Sequence, residues 1–168
     1  KGILQMKLVT ALASATILAL SALPTLAQTP SVFRIGLQED PDMLDPHKAR
    51  TFVGRIVFKG LCDKFLDITP DLKIVPRLAT EWSFSEDGKT LTMKLRPGVK
   101  FHDGEPFNAE AAKANLDRAR TLPESLRRSE LASVDSVEVV DPMTIAQKLK
   151  RPDAKQLAKH NDRASMMM

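Results

Sequence analysis

The residues best suited to chemistry lie together in the stretch FHDGEPF, residues 101–107. His102 and Asp103 are adjacent there, with a phenylalanine at each end of the stretch. A histidine beside an aspartate could act as a general base or contribute to a metal site. Catalysis would also need a nucleophile within reach, and a metal ion would need further converging ligands.

Neither set of partners is visible in the sequence. The three histidines, His47, His102 and His160, include no i, i+4 pair and no His-x-His pair. The sequence contains no G-x-S-x-G elbow, no phosphate-binding loop and no G-x-G-x-x-G fingerprint. We therefore predict no metal, no cofactor and no enzymatic activity.

The same stretch has a structural interpretation. Asp103-Gly104 is a turn signal, and Phe101 and Phe107 are placed to pack on either side of the turn. His102 is then predicted to make a local hydrogen bond at the end of a strand. This interpretation makes residues 101–107 part of the scaffold.

Cys62 is the single cysteine, so an internal disulfide is excluded. It lies in VFKGLCDKF among apolar neighbours, and no base is visible nearby. We interpret it as a small buried hydrophobic residue rather than a nucleophile.

The N-terminal residues have the features of a secretory signal. Lys7 precedes an apolar run over residues 8–20, and Thr25 and Ala27 form a small-x-small cleavage pattern. The apolar run is shorter than the roughly 20 residues of a membrane span. We predict a signal peptide over residues 1–27, with Met6 as the true start and a periplasmic location for the rest.

Cleavage after Ala27 would remove two lysines and no acid, lowering the formal charge from +4 to +2. A charge this small does not favour nucleic-acid binding, which needs clustered basic residues. We predict no nucleic-acid partner.

Hydrophobic periodicity then predicts the elements of the first half. Alternation predicts a strand over residues 31–38, and two prolines with three aspartates predict a loop over residues 39–49. Near-helical spacing over residues 51–66 predicts a helix ending near Gly60. Asp87-Gly88 lies between alternating runs and predicts a hairpin of strands 81–85 and 90–96.

The second half begins with a helix predicted over residues 109–120, capped by Asn108. A second short helix is predicted over residues 124–132. Two strands follow, over residues 133–141 and 144–150, and the apolar pattern fails after Leu149.

Residues 74–118 carry a resemblance to a known family. The stretch IVPRLATEWSFSEDGKTLTMKLRPGVKFHDGEPFNAEAAKANLDR closely resembles the peptide- and nickel-type solute-binding proteins of ABC transporters, family 5. LDPHKA at residues 44–49 and GLCDKF at residues 60–65 match as well. The resemblance extends over residues 32–149. The matching positions are Pro76, Leu78, Ala79, Trp82, Asp87, Gly88, Arg96, Gly98, Val99, residues 101–104, Pro106, Phe107, Ala109 and Glu110.

The resemblance implies an α/β fold of two lobes that close on a ligand. Residues 28–168 would be the N-terminal part of the first lobe: a mixed sheet with a β-hairpin and short helices. The implied partners are a small-molecule or peptide ligand and the ABC permease subunits of the inner membrane, with the binding protein a monomer. It also implies that Arg50, Thr51 and Phe52 lie near the ligand cleft, where an ordinary helix start is the alternative.

Family members are several times longer than this chain. We therefore expect a truncated product that lacks the second lobe, with marginal stability and open strand edges. Three readings remain. The first is a truncated solute-binding component of an ABC importer for peptides or similar solutes. The second is a secreted enzyme using His102, Asp103 or Cys62. The third is a fragment without ligand binding, either non-functional or a small periplasmic interaction module.

Overall fold

The computed structural model describes residues 32–168. The predicted signal peptide, residues 1–27, lies outside this range. Residues 32–38 carry no regular secondary structure, so the strand predicted over 31–38 is wrong for the part that is described. Alternating side chains alone do not make a strand, because the backbone also needs a partner for its hydrogen bonds. The elements below belong to the unit Leu37–Met168.

Helix α1 spans Phe52–Leu61, as the spacing of apolar residues predicts. It buries Val53, Gly54 and Phe58. Phe58 packs with Ala49 and Met166 in a small apolar cluster that is also contacted by Cys62. The half-buried Cys62 thiol is thus part of apolar packing, in agreement with its interpretation from sequence.

A short hairpin follows the helix. Strand β1, Leu66–Ile68, pairs antiparallel with β2, Ile74–Pro76. The turn between them places Leu72 at a φ of 63°, the left-handed region that side chains other than glycine and asparagine rarely occupy. This hairpin was not predicted from the sequence.

The main sheet has the order β3-β4-β6-β5. Its strands are β3 at Ala79–Phe84, β4 at Thr90–Leu95, β5 at Val134–Asp141 and β6 at Thr144–Leu149. Both predicted strand pairs are confirmed. Every pairing of the described strands is antiparallel. The α/β class is confirmed, with antiparallel rather than mixed strand directions in this part of the chain.

Helix α2, Ala109–Thr121, packs on this sheet. Asn108 caps it, with the side-chain oxygen accepting from the Ala111 amide at 2.9 Å, as predicted. The helix buries Ala112, Leu116 and Ala119. They meet the inward side chains of the sheet in one core, which includes Leu78, Ala79, Leu91, Met93, Leu95, Leu131, Val137, Ile145 and Leu149.

The helix predicted over residues 124–132 is wrong, since this segment is a series of turns. Its polar groups are used by neighbouring elements instead. The Leu126 amide donates to the His47 carbonyl at 2.9 Å, and the Ser125 hydroxyl donates to the Ala119 carbonyl at 2.7 Å. These hydrogen bonds attach the segment to the loop before α1 and to α2.

The residues after Leu149 are also better ordered than their polar composition predicts. A short helix α3, Gln156–Lys159, leads to a 3-10 helix, Arg163–Ser165. Gln156, His160 and Arg163 are buried, as are the apolar Ala164, Met166 and Met167. The failure of the apolar pattern therefore did not mark the end of the core. Gln156 and His160 are buried with hydrogen bonds to Gln147, and Arg163 with one to the Ala49 carbonyl.

Candidate functional site

Arg50, Thr51 and Phe52 lie at the start of α1. Thr51 is the N-cap, and its hydroxyl oxygen accepts from the Gly54 amide at 3.1 Å. Arg50 is exposed, and the Phe52 side chain is 70% exposed. The start of the helix thus presents a guanidinium and an exposed aromatic ring close together around its cap.

Asp42 holds this tripeptide from the preceding loop. Its carboxylate accepts from the Arg50 amide at 2.9 Å and from the Thr51 hydroxyl at 3.1 Å. The hydrogen bond from the Arg50 backbone is the main reason why the pKa of Asp42 lies below its usual value. The carboxylate therefore remains charged, and keeps both bonds, at neutral pH.

An ion pair fixes the same loop to α2. Arg118 meets Asp45 with two nitrogens, at 3.2 and 2.6 Å, the bidentate geometry that guanidinium and carboxylate favour. Burial works to raise the pKa of Asp45, but the hydrogen bonds from Arg118 and from the His47 backbone amide, together with the Arg118 charge, outweigh it and the pKa is lowered.

His47 is buried beside this ion pair. Its Nδ1 lies 2.7 Å from the Arg118 Nη1. Since a guanidinium can only donate, Nδ1 must accept, and the imidazole is neutral. Burial, reinforced by the Arg118 charge, lowers the pKa of His47 to about 4. This histidine is a structural part of the loop and is not available as a base at neutral pH.

The carbonyl oxygen of Ala49, immediately before the tripeptide, accepts hydrogen bonds from two buried arginines. Arg163 donates to it at 2.8 Å and Arg127 at 3.4 Å. Asp42 and Arg163 were not singled out in the sequence. Asp42 lies nine residues before Thr51, and Arg163 lies 112 residues after it. No short-range spacing rule therefore connects them to the helix start.

His102 lies elsewhere, beside the turn that follows β4. The turn is made by Asp103 and Gly104: the Asp103 carboxylate accepts from the Glu105 amide at 3.0 Å, and Gly104 has a φ of 93°. Phe101 and Phe107 pack edge to face with ring centres 5.9 Å apart, as predicted. The local hydrogen bond predicted for His102 is not formed, because its exposed side chain has no partner among residues 32–168.

His102 and Cys62 together line two cavities, one of about 340 Å³ and one of about 310 Å³. Within residues 32–168, no three His, Cys, Asp or Glu side chains come together in a way that could hold a metal ion. Burial, followed by the charge of Asp45, raises the pKa of the Cys62 thiol, which disfavours the nucleophilic thiolate.

Comparison with known proteins gives the family. The profile of the bacterial extracellular solute-binding proteins, family 5 Middle, matches residues 73–167. This match covers more than half of the chain, including the main sheet, α2 and the buried C-terminal stretch. The chain belongs to the family 5 solute-binding proteins.

Individual family 5 proteins agree in sequence and fold. The glutathione-binding protein GsiB of Pectobacterium atrosepticum is 42% identical over 110 residues, covering 65% of this chain and 21% of that protein. GsiB of Salmonella typhi is 39% identical over 134 residues, covering 79% and 26%. The binding protein MoaA from A. tumefaciens R10, solved with mannopinic acid, superimposes with a TM-score of 0.72 at 29% identity, covering 77% and 28%.

The chain thus spans about a quarter of the length of these family 5 relatives. None of the helices in residues 32–168 combines the length and apolar character needed to cross a membrane.

Proposed function

We propose that this chain is part of the solute-binding component of an ABC importer, taking peptides or similar small solutes to permease subunits of the inner membrane. The observation that carries the proposal is the surface at the start of α1. There an exposed cation and an exposed aromatic ring occur together on a capped helix in a family 5 protein. Relatives named for binding glutathione support a peptide-like solute.

The chemistry of this surface suits a peptide with a free carboxylate. Arg50 can pair with the carboxylate, and Phe52 can pack on an apolar side chain of the solute. Thr51 contributes by capping the helix rather than by direct contact.

The wider organisation is part of the proposal. Residues 1–27 serve as the signal peptide, and residues 28–168 form part of the N-terminal lobe of a monomeric periplasmic protein. A solute that contacts both lobes would shift the protein towards its closed form, which the permease recognises. Binding and release are non-covalent.

The test is calorimetric titration of the purified protein, as its gene encodes it, with reduced glutathione and trialanine. Arg50→Ala and Phe52→Ala should each weaken binding by about tenfold, the effect of losing one charge-assisted hydrogen bond or one buried apolar contact. The matched controls are Arg151→Ala and Phe84→Ala, which remove an exposed arginine and a partly exposed phenylalanine at other places on the surface.

The controls should bind like the unsubstituted protein. No binding of either solute by the unsubstituted protein would refute a peptide-binding function. Binding that is unaffected by both α1 substitutions would show that the solute site lies elsewhere.

A further inference from the structure

The backbone around Arg50 is held from two distant parts of the chain. On its N–H side, the Asp42 carboxylate accepts from the Arg50 amide at 2.9 Å. On the carbonyl side, Arg163 Nη1 donates to the Ala49 carbonyl at 2.8 Å and reaches the Thr51 carbonyl at 3.5 Å. The Ala49 carbonyl and the Arg50 N–H are the two ends of one peptide group, which is therefore held at both ends, while the Arg50 side chain is exposed.

Arg163 makes an unusual use of its donors. The residue is 7% exposed, and a guanidinium this deeply buried normally pairs closely with a carboxylate. Among residues 32–168, the one carboxylate within ion-pair distance is that of Asp162, 4.0 Å from Nε. The short hydrogen bond of Arg163 goes instead to the backbone carbonyl that precedes Arg50. A buried charge is thus used to fix the direction of one particular peptide group.

The element that carries Arg163 is itself rigidly attached. Asp162 pairs with Arg55 of α1 at 2.5 Å, and the Ser165 hydroxyl donates to the His160 carbonyl at 2.6 Å. The Asn115 side-chain amide donates to the Met166 carbonyl at 2.9 Å. Residues 162–166 therefore connect the start of α1 to α2, and a loose Arg163 side chain is not expected.

We propose that Asp42 and Arg163 are positioning residues for solute binding: they fix the backbone from which Arg50 and Phe52 contact the solute. This inference rests on the proposed function. Fixing these residues in advance lowers the entropy lost when the solute orders them, which raises affinity without any contact between the solute and Asp42 or Arg163.

The test compares each positioning residue with a matched control. Asp87 is an exposed aspartate that, like Asp42, accepts from one hydroxyl and one amide, those of Ser85 and Lys89. Asp42→Ala should weaken glutathione binding by about tenfold, corresponding to one or two net hydrogen bonds. Asp87→Ala should leave the affinity unchanged. It should lower the thermal unfolding midpoint by about as much as Asp42→Ala does.

Two conservative variants separate positioning from folding. Asp42→Asn keeps one acceptor oxygen and should recover part of the affinity. Arg163→Lys keeps the buried charge, but its side chain is shorter and lacks the planar, rigid donor geometry of a guanidinium, so it should weaken binding. Its control is Arg120→Lys, because Arg120 also donates to backbone carbonyls, those of Val134 and Asp135.

Hydrogen exchange provides a readout that ordinary destabilisation would not produce. In Asp42→Ala and Arg163→Lys the amides of Arg50 and Gly54 should exchange about tenfold faster, while those of β4 and β6 keep their rates. Equal losses of affinity in the variants and their controls would overturn the inference, as would weaker binding without faster local exchange.

The two proposals fail in different ways. If the unsubstituted protein binds neither glutathione nor trialanine, the proposed function fails and the positioning role fails with it. If Arg50→Ala weakens binding but Asp42→Ala and Arg163→Lys do not, only the positioning role is overturned.

Discussion

Two buried neutral histidines make the fold sensitive to mild acid. His47 and His160 are both fully buried. Burial, reinforced by Arg118, lowers the pKa of His47 to about 4, and burial, reinforced by Lys159, lowers that of His160 to about 3. In the unfolded chain an ordinary histidine titrates near 6.5. Below that pH the unfolded state binds protons that the folded state does not bind, so stability falls as the pH decreases.

The size of the effect follows from these pKa values. Between pH 7 and pH 5, protonation stabilises the unfolded state by about 2 kcal/mol for each histidine, while it stabilises the folded state hardly at all. The total loss is about 4 kcal/mol, a large fraction of the stability of a typical domain. Hydrogen bonding to Lys159 lowers the pKa of Asp153 to about 2, below this range. Glu130 acts with the opposite sign, because burial raises its pKa.

The assay is urea unfolding at pH 7 and pH 5, followed by the fluorescence of Trp82, the single tryptophan. His160→Gln removes one titrating group but can keep a hydrogen bond to Gln147, which lies 3.1 Å from the His160 Nε2. This variant should lose only about 2 kcal/mol between the two pH values. His102→Gln, at the exposed histidine, is the control and should lose the full amount. An unsubstituted protein that loses less than about 1 kcal/mol would refute the reasoning.

Three further substitutions test local features. Leu72→Asn should stabilise the protein by about 0.5–1 kcal/mol, because Leu72 is 83% exposed with a φ of 63° and asparagine tolerates that conformation better; an unchanged urea midpoint would mean that the turn is unstrained. Asn108→Ala should cost about 1 kcal/mol through loss of the α2 cap, with Asn108→Ser restoring most of it in thermal unfolding. Met93→Ala should cost about 2–5 kcal/mol, since Met93 is fully buried between the sheet and α2; a loss below 1 kcal/mol in the same unfolding measurement would show that the core collapses around the gap.

Sequence predicted the elements whose local features agree with their final environment. The β3–β4 hairpin is one, because Asp87-Gly88 fits a turn in which Gly88 has a φ of 66°. Helix α2 is another, since Asn108 caps it and its apolar side chains line up towards the sheet. In both cases neighbouring residues carry all the information needed.

The failures share a physical reason: the deciding partner is far away in the sequence. Residues 31–38 alternate like a strand, but the pattern does not say whether a partner strand is present. Residues 124–132 have helical composition, yet the Leu126 amide bonds to His47. By composition, Gln156 and His160 would be expected at the surface. The structure places Gln147 beside both of them, and the Gln156 side-chain amide donates to the Gln147 side-chain oxygen at 2.9 Å.

The candidate site was only partly predictable. The resemblance to the family directed attention to Arg50, Thr51 and Phe52, and the structure places them at a capped helix start. Asp42 and Arg163 could not be found in the same way, because their hydrogen bonds span 8 and 114 residues of the chain.

The order of the sheet has a consequence for the timing of folding. Strand β4 pairs with β6, placing Thr90 opposite Lys148, and Arg163 bonds to a carbonyl 114 residues earlier. At a synthesis rate of about 5–20 residues per second, Ala49 waits roughly 6–20 seconds for that partner. Strand β4 waits about 3–12 seconds, the time needed to add the chain from Thr90 to Lys148, and during that time one of its edges is open to pairing with other chains. We expect the nascent chain to depend on chaperones or export factors that keep it unfolded until residue 163 has been added.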